Sequence, residues 1–216
     1  MKPTSILRKQ TNWENLYFYR KADVLYLLTK HFTDRYLKIG DRTVDQMVQA
    51  ACSGKQNIVE GMSDGVSSTQ MEIRLLNVAR SSLQELQTDY KDYLSSRHLA
   101  YWTKEHERYA QLLDFCRQHN RKEDYLPLLD KATDEELANL AITLCRQVDK
   151  MMFSWLEKLE NEFKENGGLS ERMTAVRQGY RQTQKETIEA QAQEIQTLKA
   201  KVAQLEAELE KYKRGS

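Results

Sequence analysis

Apolar residues recur along most of this chain every three or four positions, the spacing that lines one face of an α-helix. Four such runs stand out. The first covers about 13–37 and stops at Gly40. The second covers 44–62 and ends in the turn-forming stretch GMSDGVSS. The third covers 71–94, with Leu75, Leu76, Ala79, Leu83, Leu86, Tyr90 and Tyr93 on one stripe. The fourth covers 135–163, with Leu137, Leu140, Leu144, Val148, Met151, Trp155 and Leu159 inward and Gly167–Gly168 closing it. Thr11…Glu14, Thr43…Gln46, Thr69…Glu72 and Thr133…Glu136 each match the capping-box spacing that opens a helix. Four helices with short connections predict an antiparallel bundle over 12–166, preceded by a tail at 1–11.

Three features depart from that plain pattern. Between the third and fourth helices, 95–131 reads as an insertion. It holds one amphipathic helix bearing Trp102, Tyr109, Leu112, Leu113 and Cys116, then a turn near 124–127. The first helix, through LYFYRKADVLYLL, is apolar nearly all round its axis. A helix apolar on every side is buried on every side. A second subunit is the simplest cover, so self-association is expected. The third feature is QAACSGKQNIVEG, where Ala50, Ser53, Gly54, Asn57 and Gly61 form a stripe of small residues on one helix face, followed by Glu60. The stripe predicts close approach of a neighbouring helix, with Asn57 and Glu60 settling polar groups at that helix's end.

After the bundle the pattern changes period. Ile188, Ile195, Val202 and Leu209 recur every seven residues, with Leu198, Leu205 and Tyr212 at the complementary d sites and Gln191 at the first of them. Glu194 with Lys199, Lys201 with Glu206, and Glu208 with Lys213 are opposite in sign when identical chains run parallel. A parallel homotypic coiled coil over 188–214 is predicted, preceded by a basic helical stretch over 169–187.

The net charge of +1 is uneven, at about +3 over 1–66, −4 over 67–170 and +2 over 171–216. Candidate phosphate contacts therefore concentrate at the ends: Arg8, Lys9, Arg20 and Lys21, then Arg172, Arg177, Arg181 and Lys185. Arg177, Arg181 and Lys185 lie four apart on one helix face, and the bland alternative is a solvated face. With only two prolines and eight glycines, helix breakers are nearly absent. The three cysteines are widely spaced without a CxxC, which suits a reducing cytoplasm. MKPTSILRKQ has no signal-peptide core, and no apolar run is long enough for a membrane span. Cys116 and His119 could supply two metal ligands, but no second pair has ligand spacing. Glu60 has no nucleophile or histidine spaced to work with it. Neither an enzyme nor a cofactor is expected.

The residues Gln49, Ala50, Ala51, Ser53, Asn57, Ile58, Glu60 and Gly61 resemble a motif in a known family. So do Glu72, Ala79, Ser82, Leu83, Glu85 and Leu86. The family is that of four-helix bundle proteins encoded by intervening sequences of bacterial 23S ribosomal RNA genes. It includes the accessory variability determinant of diversity-generating retroelements. The resemblance spans about 12–165 and is strongest over 44–94. It implies a bundle assembled into a five-fold ring, with no enzymatic activity. In the retroelement branch it implies a reverse transcriptase and its template RNA as partners. The insertion is longer than the family's third connection, and the chain is less basic than that branch, which shifts the expected phosphate contacts to the suffix.

Two functions follow as expectations. One is a homo-oligomeric scaffold or accessory protein, pentameric by the resemblance, that serves a nucleic-acid-processing partner and touches RNA or DNA. The other is an adaptor whose suffix captures a partner protein without nucleic acid.

Overall fold

The computed structural model describes residues 5–38 and 40–214, with the side chain of Tyr212 outside that description. Among the described residues there is no strand, and no helix is long and apolar enough to cross a membrane. After a 3₁₀ turn at Trp13–Asn15, seven α-helices follow. These are α1 (Tyr17–Tyr36), α2 (Arg42–Asp64), α3 (Thr69–Ser96), α4 (Tyr109–Gln118), α5 (Lys122–Leu129), α6 (Asp134–Asn166) and α7 (Leu169–Arg214). Residues 7–169 form one compact unit, and α7 beyond its first residue belongs to a second.

Within the first unit α1, α2, α3 and α6 close a four-membered ring in which each helix packs on two others. Short links between α1 and α2 and between α2 and α3 make those neighbours antiparallel. The core joins Phe18, Leu25, Leu28 and Phe32 of α1 with Met47, Ala51 and Ile58 of α2. Leu76, Leu83, Leu86 and Tyr90 of α3 and Leu137, Leu144, Val148 and Met152 of α6 complete it. Phe32 meets Tyr90 and Tyr93 edge-on, with centroids 5.0 and 4.7 Å away, the geometry that aromatic quadrupoles favour. The Tyr90 hydroxyl donates to Thr29 Oγ1 at 3.0 Å, so the core's buried phenol is satisfied.

Only one of the four expected capping boxes forms. Glu136 N donates to Thr133 Oγ1, and Thr133 N donates to Glu136 Oε2. Elsewhere a neighbour displaces the threonine. Asn12 caps the 3₁₀ turn, Asp41 caps α2, and Ser68 caps α3. Asn, Asp and Ser hold their oxygen close to the chain and rank above Thr as caps. Thr69 becomes the first buried residue of α3.

The insertion contains two helices, not one, and no turn spans 124–127: Pro127 lies inside α5. This pair also packs against α1. Lys21 Nζ donates to Cys116 O and, at 3.1 Å, to His119 O at the end of α4. Lys122 pairs with Asp23 at 2.8 Å. Arg35 reaches Asp130 O, and the Tyr36 hydroxyl donates to Ala132 O. Part of the far side of α1 is thus covered from within the chain, while Tyr17 stays exposed. Asn139, buried in α6, ties down the segment leading into α4, accepting from Trp102 N and donating to Ala100 O.

Candidate assembly and nucleic-acid surfaces

The small stripe of α2 faces α3 of the same chain. A Cβ on Gly54 would lie 2.6 Å from Leu83 Cδ2 and Cγ, and one on Gly61 would lie 3.2 Å from Leu75 Cβ. Ser53 Oγ shares a hydrogen bond of 3.1 Å with Ser82 Oγ across the seam. Close approach, expected for a neighbouring helix, is therefore satisfied inside the bundle. The polar expectation differs. Asn57 Nδ2 donates back to Ser53 O at 2.9 Å and Ser53 Oγ at 3.1 Å, Glu60 is exposed, and α2 runs on past both to Asp64.

Three of the basic candidates at the N-terminal end are committed to structure. Arg8 donates to Glu162 through Nε (3.0 Å) and Nη2 (2.9 Å), and through Nη1 to Gly65 O and Glu72. Glu72 is buried and also accepts from Trp155 Nε1 at 3.0 Å. The two carboxylates hold the Arg8 guanidinium's pKa above its ordinary value, although desolvation, the largest single influence, opposes them. Arg8 is thus a clasp between the α2–α3 turn and α6, with no face left for a phosphate. Lys21 is likewise buried, and burial lowers its pKa because charge is costly away from water. Arg20 closes the 3₁₀ turn by donating to Glu14 O and Asn15 Oδ1. Lys9 is exposed.

The remaining candidates lie on α7, a single helix of 46 residues. Arg172, near its start, is buried and so does not offer the phosphate contact expected of it, whereas Arg177, Arg181 and Lys185 are exposed further along. Lys185 has Glu189 at 3.8 Å. Ile188, Ile195, Leu198, Val202, Leu205 and Leu209 follow, each 52–64% exposed.

Among the described residues, no group of three or more His, Cys, Asp or Glu is placed to hold a metal ion. Burial pushes the Cys116 thiol up to about 12, so almost no thiolate forms near neutrality, and His119 Nδ1 sits 2.9 Å from Phe115 O.

No family model, curated protein or solved structure matches the chain.

Proposed function

We propose that the protein is a non-enzymatic, homo-oligomeric scaffold or accessory protein that holds copies together through α7. Arg177, Arg181 and Lys185 then touch RNA or DNA on behalf of a nucleic-acid-processing partner. One observation carries the reading: six large apolar side chains repeat at a and d along α7 and are all more than half exposed. Flanking charges at g and e are opposite in sign across a parallel copy. A face of this kind, left in water, is an interaction site. The basic residues immediately precede it, so association would gather several weak phosphate contacts into one multivalent site. The resemblance in the second and third helices adds a reverse transcriptase as the partner, and five as the number of copies.

A gel shift with RNA and with DNA across a salt series tests the nucleic-acid half. Binding should weaken steeply with salt and disappear when Arg177, Arg181 and Lys185 are replaced by Glu. Replacing Ile195 and Val202 by Asp should separate the copies and weaken binding while the basic residues stay in place. Light scattering on the full chain measures the copy number.

A second reading is a protein-interaction adaptor with no nucleic acid. It is favoured by the loss of Arg8 and Lys21 to internal bonds, which leaves a smaller exposed basic set. No shift at low salt supports it over the first.

A further inference from the structure

The heptad frame of α7 does not start at Ile188. Counting back in the same alternation of three and four, Gln184 falls at d, Arg181 at a and Arg177 at d, with Lys185 at the flanking e position. All four are exposed. Two of the basic residues are therefore on the seam itself. In a parallel assembly, each copy would present Arg181 to Arg181 and Arg177 to Arg177. Like charges brought together at a and d oppose closure, whereas the apolar layers from Ile188 onward favour it.

The helix is weak at the same place. Arg177, Arg181 and Lys185 repel one another at i, i+4 spacing along each chain. Gly179 lies among them with nothing within 4 Å of where a Cβ would stand, so it is a helix-interior glycine without a packing reason. Among the described residues, neither Arg177 nor Arg181 has a carboxylate partner, while Lys185 has only the marginal pair with Glu189.

The geometry points to a phosphate-operated extension of the coiled coil. Copies of α7 zip over 188–214 without help and stay parted over 177–187, and the phosphates of a nucleic-acid strand close that upper segment by neutralising Arg177 and Arg181 at the seam. This rests on the nucleic-acid reading above and adds a coupling to it. Because coupling is reciprocal, RNA tightens the association of the chains and association tightens the binding of RNA. A basic stripe on the outer face of a finished coiled coil has no such property.

Single cysteines at two d positions separate these cases, in the full chain with the half-buried Cys52 replaced by Ser. Leu198→Cys reports the apolar part of the seam, and Gln184→Cys reports the upper part. With a mixed-sequence RNA oligonucleotide as the probe, Leu198→Cys should form the inter-chain disulfide with or without RNA. Gln184→Cys should cross-link about tenfold faster when RNA is present, a difference of order one decade in the closed population. Replacing Arg177 and Arg181 by Gln, which removes charge but keeps helix propensity, should give Gln184→Cys the fast rate without RNA and abolish the response to it. Equal rates at both positions in the absence of RNA overturn the proposal, since the upper segment is then already closed. It also fails if neither RNA nor the Gln replacements raise the rate at Gln184→Cys while Leu198→Cys cross-links and the gel shift is positive. That result leaves the scaffold reading standing. Failure of Leu198→Cys to cross-link at all removes the parallel assembly, and with it both the scaffold reading and this extension of it.

Discussion

Arg8 shows how far a residue's role depends on what folds against it. In the sequence it is one cation of an N-terminal basic pair; in the fold its guanidinium neutralises Glu72, whose side chain is only 2% exposed. Removing Arg8 strands that carboxylate in the interior with Trp155 as its remaining partner. Arg8→Ala should therefore destabilise the bundle by about 3–5 kcal/mol, the range for breaking a buried pair from one side. Adding Glu72→Gln to Arg8→Ala should recover part of the loss. Urea unfolding of the two single variants and the double is the check, and strictly additive losses would mean the pair is not coupled. Lys21 makes a test of opposite character. Its pKa is lowered by burial, so between that lowered value and about 10.4, the ordinary lysine value, the unfolded chain binds the extra proton and folding resists it. The stability of the parent relative to Lys21→Met should rise as pH climbs toward that value. The comparison with the variant is needed because Cys116, with a raised pKa, gives the opposite slope in both proteins. A flat difference would show that Lys21 is solvated.

At the scale of elements, the four long helices were legible because each buries a wide, continuous stripe, and the period of that stripe survives any error at the ends. The starts were less legible. Thr43 and Thr69 have the right partners three residues on, but Asp41 and Ser68 lie just upstream, accept from Thr43 N and Met71 N, and so start each helix one or two residues earlier. Pro127 signals a break in the sequence, yet it is the sixth residue of the eight-residue α5, where it forgoes one backbone bond, to the exposed Glu123, and the short helix continues to Leu129. The small stripe could be recognised as a packing surface, but its occupant could not: any helix fits a strip of Ala, Ser and Gly. Its tightness is now measurable. Gly54→Ala should lower stability by about 1–3 kcal/mol, because Leu83 is buried and has no room to retreat. Leu83→Ala in the same chain should return some of that loss by opening the space. Equal stability for Gly54→Ala and parent, by thermal or urea unfolding, would show that α2 and α3 stand further apart.

At the scale of the whole molecule, the candidate sites divided between the two units in a way that residue spacing alone did not reveal. The bundle takes up Arg8, Arg20 and Lys21 in its own construction, since a chain with so many helix ends needs donors for orphan carbonyls and counter-charges for buried acids. The suffix buries Arg172 but keeps Arg177, Arg181, Lys185 and its seam in water. A helix with half-exposed Ile, Leu and Val at six of its a and d positions is stabilised mainly by partners. The helix content lost in the melting of α7 should therefore depend on protein concentration, and Ile195→Asp with Val202→Asp should remove the dependence; circular dichroism at several concentrations decides it. The covering of α1 has a consequence in time. Lys21 and the carbonyl of Cys116 that it binds are 95 residues apart in sequence. A ribosome adding about 5–20 residues per second leaves an interval of roughly 5–20 s between the two. Throughout that interval the newborn first helix has an apolar flank whose cover does not yet exist, and a chaperone acting on this chain has its substrate there.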